Sequence, residues 1–207
     1  MKKTLILILT LSVGNIFSQQ IFSELSYSNA ELKSPQYNVE EMIEMQNGVK
    51  KIANDYNNVI DYLERNLTNE NCRSLLGNKC SLYRKEIGLI KSNFRKLEFS
   101  NDYFENRSYV LNSVKKMNRI DYELFQSIKL KYMVSQHLDK IDVIKNTMTD
   151  QKCVNDKKKC KQISKELSRI DKKYEYVKSK ASYVHFQNLI LDYDIKISDF
   201  EYDLKQF

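Results

Sequence analysis

Histidines, cysteines and a clustered run of lysines are the residues of this chain most able to do chemistry, and their spacing narrows what that chemistry is. Only two histidines occur, His137 and His185. Neither has a Glu three residues before it, so the Glu-x-x-His pattern of carboxylate di-metal bundles is missing. No His-Glu-x-x-His helix, Gly-x-Ser-x-Gly elbow, phosphate-binding loop or dinucleotide fingerprint occurs either. With four Gly in 207 residues, such loops could hardly be built. His137 falls on an apolar helical stripe and reads as a core histidine with satisfied nitrogens; His185, between Val184 and Phe186, reads as a boundary residue. No catalytic residue, metal or cofactor is expected, and the chain is expected not to be an enzyme.

The four cysteines carry a different chemistry. Cys72 and Cys80 are eight residues apart and Cys153 and Cys160 seven apart, so the Cys-x-x-Cys spacing of zinc ribbons and redox sites is absent. Residues 1–18 have the form of a secretory signal: Lys2 and Lys3 precede an apolar run from Thr4 to Val13, and small Ser18 follows at a plausible cleavage point. That run is shorter than the roughly 20 apolar residues of a membrane span. The mature chain is therefore expected in the periplasm or outside the cell and not to span a membrane. In that oxidising setting an even number of cysteines points to disulfides. Two loop-closing pairs, Cys72 with Cys80 and Cys153 with Cys160, are expected, with cross-pairing between the loops as the alternative.

The elements that position these residues follow from an internal repeat. Shifted by 81, Ile60, Asp61, Leu63, Thr68 and Cys72 meet Ile141, Asp142, Ile144, Thr149 and Cys153. Shifted by 80, Cys80, Lys85, Glu86, Ile87 and Ile90 meet Cys160, Lys165, Glu166, Leu167 and Ile170. The one-residue change falls between the paired cysteines, where a loop tolerates it. Apolar steps of three and four then run from Ile163 through Leu167, Ile170, Tyr174 and Val177 to Leu191, Ile195 and Tyr202, and from Tyr83 through Phe94 to Phe104 and Leu111. Looser stripes cover Met42–Leu63 and Leu130–Met148. Asn38 with Glu41 and Asn118 with Asp121 read as helix starts.

One Pro and so few Gly exclude the frequent turns of sandwiches and α/β folds. The expectation is an all-α protein: an elongated antiparallel four-helix bundle of two duplicated helical hairpins, each with a Cys pair at its loop. The boundaries are a signal at 1–18, an extension at 19–37 and a bundle at 38–207, with hairpins at about 38–117 and 118–207 and a turn near Asn112–Asn118.

Lys+Arg number 34 against 27 Asp+Glu, and the excess is local. It gathers between Lys152 and Lys180, above all at Lys157, Lys158, Lys159, Lys161 and Lys165, whereas Asp192–Phe207 is acidic. In the four-helix path these lysines form a basic tip at the Cys loops, while Asp121, Glu123, Asp199, Glu201 and Asp203 lie at the far end. The composite expectation is an exported non-enzymatic protein that binds a protein or an anionic envelope surface component through that tip. A periplasmic holdase-like chaperone using Tyr-rich faces and a small-ligand carrier are the alternatives. Nucleic acid is not an expected partner, because no recognised binding motif accompanies the basic helix.

Overall fold

A computed structural model describes residues 39–68, 70–148, 153, 156–181 and 183–205. The expected signal and the extension after it lie outside the described residues. Every described element is helical: α1 (Val39–Asp55), α2 (Asn57–Thr68), α3 (Asn71–Leu76), α4 (Lys79–Leu97), α5 (Tyr103–Thr147), α6 (Lys157–Lys180), a 3₁₀ turn (Tyr183–Phe186) and α7 (Gln187–Lys205). The described residues divide into two compact units, 39–62 with 87–119, and those of 63–86 with those of 120–205.

The first unit is made of α1, the start of α2, most of α4 and the first part of α5. The ladder continues through Tyr56, whose N–H donates to Ile52 O and whose carbonyl accepts from Ile60 N–H. Val49, Ala53, Tyr56 and Ile60 are buried from this arm, Ile87, Ile90, Phe94 and Leu97 from α4, and Tyr103, Val110, Val114 and Met117 from α5. Polar contacts tie the three arms. Lys91 Nζ meets Asp61 Oδ1 at 2.9 Å, Asn93 Nδ2 donates to Tyr109 Oη at 3.0 Å, and Gln46 Nε2 donates to Ser100 O at 2.9 Å.

The second unit packs the rest of α5 with α6 and α7 around Leu130, Val134, Ile141, Ile144, Ile163, Leu167, Ile170, Tyr174, Val177, Tyr183, Ile190, Tyr193, Ile197 and Leu204. It also contains the first Cys loop. Lys131 Nζ donates to Ser74 Oγ at 3.0 Å, and the Arg84 guanidinium and Cys80 sulfur both face the carbonyl of Leu67. Gly77 closes α3 at φ 55°, ψ −129°, its N–H donating to Arg73 O. A Cβ there would stand 3.1 Å from the carbonyl oxygen of Lys180, so both backbone conformation and space require glycine.

Burial repeats along the chain as the sequence does. At a shift of 81, Val49, Ala53, Tyr56, Ile60 and Leu63 correspond to Leu130, Val134, His137, Ile141 and Ile144, all buried. At a shift of 80, Cys80, Tyr83, Ile87, Ile90, Phe94 and Leu97 correspond to Cys160, Ile163, Leu167, Ile170, Tyr174 and Val177, again all buried. The match passes the ends of α4 and α6: Tyr103, Val110, Met117 and Leu124 correspond to buried Tyr183, Ile190, Ile197 and Leu204.

That continuation corrects the four-helix path. The turn expected at Asn112–Asn118 is absent; those residues lie inside α5, where Ser113, Val114, Met117 and Ile120 are buried in helical spacing. The breaks fall elsewhere, at residues 98–102 and after Lys180. At the first, Asp102 Oδ1 accepts the Glu105 N–H at 2.9 Å and starts α5. At the second, Ala181 takes the left-handed conformation at φ 46° and its N–H donates to Lys178 O, ending α6. Each break shifts the phase of the apolar stripe. Phe104, Leu191, Ile195 and Tyr202, expected on the seams, are therefore exposed, and α6 and α7 are not one helix.

Candidate functional site

The cysteines come together as two local pairs. Cys72 and Cys80 sulfurs are 2.09 Å apart and those of Cys153 and Cys160 2.11 Å, with Cα separations of 5.8 and 5.9 Å. Cross-pairing is thus not what the fold contains.

The lysine run opens α6. Asp156 caps that helix, its Oδ1 accepting from Lys159 N–H at 2.9 Å. No acidic residue follows in the first turn, so the helix dipole opposes the lysines by a few tenths of a kcal/mol each at an exposed end. Lys159 is drawn aside: its Nζ reaches Asp203 Oδ1 at 3.0 Å. At a shift of 80 the same bridge recurs as Lys79 Nζ to Glu123 Oε2 at 2.7 Å. These bridges correct the expected far-end placement of Glu123 and Asp203. Because each chain segment breaks after α4 and α6, the following helix returns its acidic residues to the lysines at the Cys loops.

Lys157, Lys158, Lys161 and Lys165 are exposed, and so are Arg169 and Lys172 farther along α6. Residues 158, 161, 165, 169 and 172 share an arc of about 80° at 3.6 residues per turn, roughly opposite the buried seam Cys160–Ile163–Leu167–Ile170–Tyr174–Val177. Five cations therefore form one stripe about 21 Å long at ~1.5 Å per residue. Glu166, Asp171 and Glu175 lie off this arc; Asp171 is occupied by Lys145 at 2.9 Å, and Glu166 stands 3.9 Å from Arg169. Tyr176 extends the stripe, with Lys180 Nζ 5.4 Å above its ring. The corresponding positions of the first repeat are Asn78, Ser81, Lys85, Leu89 and Ser92. The repeats match where they are buried and differ here.

His137 lies inside the second unit, with only 3% of its surface exposed. Its Nδ1 is 2.5 Å from Tyr174 Oη and its Nε2 2.8 Å from Asp194 Oδ1. Since a carboxylate only accepts, Nε2 carries a proton, and in the neutral imidazole Nδ1 then accepts from the tyrosine hydroxyl. Burial, with Tyr193 and Asp194 adding to it, pushes the Tyr174 phenol well above its ordinary range, which keeps this hydroxyl a donor. The arrangement holds the core; it presents no ionised nucleophile. His185 is exposed, its ring set edge-on to Phe186.

Comparison of this chain with protein-family models, with curated proteins and with solved structures finds no match.

Sequence reasoning located the cysteine pairs and the start of the basic face. It missed the two recurring Lys–acid bridges, although Lys79/Lys159 and Glu123/Asp203 already stand 80 apart in the sequence. It also missed Arg169 and Lys172 because it grouped charges by run instead of by helical angle. Among the described residues no cluster of three or more His, Cys, Asp or Glu side chains is placed to hold a metal, and no helix is long and apolar enough to cross a membrane.

Proposed function

We propose that this is an exported, non-enzymatic binding protein whose α6 face attaches it to an anionic envelope surface component. The observation that carries the reading is the divergence of the two repeats. Lys158, Lys161, Lys165, Arg169 and Lys172 occupy one solvent-facing arc, while the matching arc of α4 has a single lysine. Lysine distributed only for solubility would not concentrate in one copy of a conserved frame. The signal at 1–18 and the loop-closing cysteines support an extracytoplasmic location. We further propose that the chain arose as two tandem copies of a helix, Cys loop, helix, break and helix, which the shared burial pattern and the paired ion bridges support.

Anionic lipid headgroups and acidic polysaccharides share the chemistry that the stripe recognises. Co-sedimentation of the mature protein with vesicles containing phosphatidylglycerol, beside zwitterionic vesicles and an acidic polysaccharide resin, tests the reading. Retention by an anionic probe, with none by zwitterionic vesicles, is expected; equal retention by both vesicle types, or by no probe at low salt, would overturn it. A holdase role is the second reading, favoured by the exposed apolar stripe Leu191, Ile195 and Tyr202 on α7. Suppression of client aggregation near stoichiometry, unaffected by α6 charge, would favour that role.

A further inference from the structure

The first unit contains a surface groove of about 510 Å³ where α4 ends and α5 begins. Its volume falls within the ~300–1,000 Å³ of small-molecule sites. Three amides line it, Asn93, Asn106 and Asn112, together with Ser100, Ser108 and Tyr109. Apolar Leu97 and one cation and one anion, Lys96 and Glu105, complete the wall, which has no net formal charge.

Two features mark the groove as a site. Asn106 is only 4% exposed, and its Nδ2 finds no hydrogen-bond partner. A buried amide donor without a partner costs roughly 1–3 kcal/mol, so its retention calls for an acceptor supplied from elsewhere. The second feature is that the repeat frame carries bulkier side chains at two of the lining positions. At a shift of 80, Lys96 and Asn106 correspond to Tyr176 and Phe186, whose rings pack edge to face with centroids 5.8 Å apart. In the first unit a lysine and an amide stand in place of that aromatic pair, beside the groove.

We infer that this groove binds a neutral polyhydroxylated ligand of saccharide class. Each amide offers a donor and an acceptor, and so does each sugar hydroxyl, so a set of amides and hydroxyls suits a sugar without selecting for charge. Asn93 Nδ2 donates to Tyr109 Oη at 3.0 Å. That bond uses one Asn93 donor and leaves the side-chain Oδ1 of Asn93 and the O–H of Tyr109 to bond elsewhere, and the Tyr109 ring, edge-on to Phe94 at 6.1 Å, supplies apolar surface at the groove. The site is separate from the α6 stripe and does not depend on it.

The test is saturation-transfer NMR on the mature protein with trehalose, maltose and N,N′-diacetylchitobiose, each at 10 mM, with inorganic phosphate in competition. Transfer from the protein to at least one disaccharide, unaffected by phosphate, is expected. The variant Lys96→Tyr/Asn106→Phe, which introduces the aromatic pair of the second unit and removes the Asn106 amide, is expected to lower affinity at least tenfold. Tyr109→Ala provides a second variant that does not rely on the aromatic pair folding correctly, and it too should lose at least tenfold. No transfer to any of the three sugars, displacement by phosphate, or undiminished binding in both folded variants would overturn the inference.

Discussion

Replacing Tyr174 by Phe removes one oxygen from the centre of the second unit, and the structure fixes what that oxygen does. It is the partner of His137 Nδ1 at 2.5 Å, in a ring whose other nitrogen is held by Asp194 at 2.8 Å. The phenyl ring itself keeps its place, since its packing is an edge-to-face contact with Tyr193 at 5.6 Å. What is lost is a net hydrogen bond of about 1 kcal/mol and the satisfaction of a buried acceptor, for a total of about 2–3 kcal/mol. His137→Leu should cost a similar amount, because the Tyr174 hydroxyl is then buried without an acceptor, whereas the half-exposed Asp194 returns to water. The double variant should cost clearly less than the sum, with a coupling of about 1–2 kcal/mol. Precedent for the apolar solution lies in the chain, where buried Tyr56 and Phe94 occupy the corresponding positions. Urea denaturation of the disulfide-intact protein, followed by circular dichroism, measures all three. A Tyr174→Phe cost below about 0.5 kcal/mol, or strictly additive single effects, would refute the claim that this hydroxyl satisfies His137.

Other consequences are equally direct. Replacing Cys72 and Cys80 by Ser should destabilise by about 2.5 kcal/mol from the entropy of an eight-residue loop, measured by urea midpoint; a change under about 0.5 kcal/mol would contradict this. Gly77→Ala should cost about 1–3 kcal/mol because of its φ of 55° and the nearby Lys180 carbonyl. Gly88→Ala, in open space on α4, should raise stability by about 0.5–1 kcal/mol, and thermal melts that ranked the two alike would refute the geometry. Burial raises the phenols of Tyr56, Tyr174, Tyr183 and Tyr193 above their ordinary 10.0. The unfolded chain therefore ionises first: their contribution is intact below pH 10 and is lost as pH rises above it, by at most ~1.4 kcal/mol per pH unit for each tyrosine. Urea midpoints that stayed flat between pH 9 and 11 would oppose this.

The helical class, the cysteine pairs and the buried faces of α4 and α6 were legible because each rests on local spacing. Cys160, Ile163, Leu167, Ile170, Tyr174 and Val177 keep one helical phase with no long-range information required. The path was harder to read because no Gly or Pro marks the break at 98–102 or the end of α6 at Lys180. Their signal was subtler: Asp102 with Glu105 is a start signature that the fold uses, whereas Asn118 with Asp121, of the same form, sits inside α5. Tertiary burial of Val114, Met117 and Ile120 decides between two similar local patterns. Asp121 carries the consequence, with a buried oxygen that lacks a partner and a carboxyl held above its usual range by burial. On the candidate binding face, cation positions were visible in sequence, but their common arc emerged only once α6 had fixed limits and a buried side. The groove of the first unit was not legible, since it depends on how the end of α4 and the start of α5 meet across residues 98–102.

The account stands most directly on whether the α6 arc carries the attachment. Mature protein and the variant Lys161→Gln/Lys165→Gln/Arg169→Gln should be co-sedimented with phosphatidylglycerol vesicles at low salt, beside a control variant Lys85→Gln/Lys96→Gln on α4. At about 1 kcal/mol for each cation near an anionic surface, the triple variant should bind about 150-fold more weakly, and the control within about tenfold of the parent. In 1 M salt, where the screening length is about 3 Å, the parent should also release. Equal losses in the triple variant and the control, or parent binding that survives 1 M salt, would contradict the assignment of the α6 face.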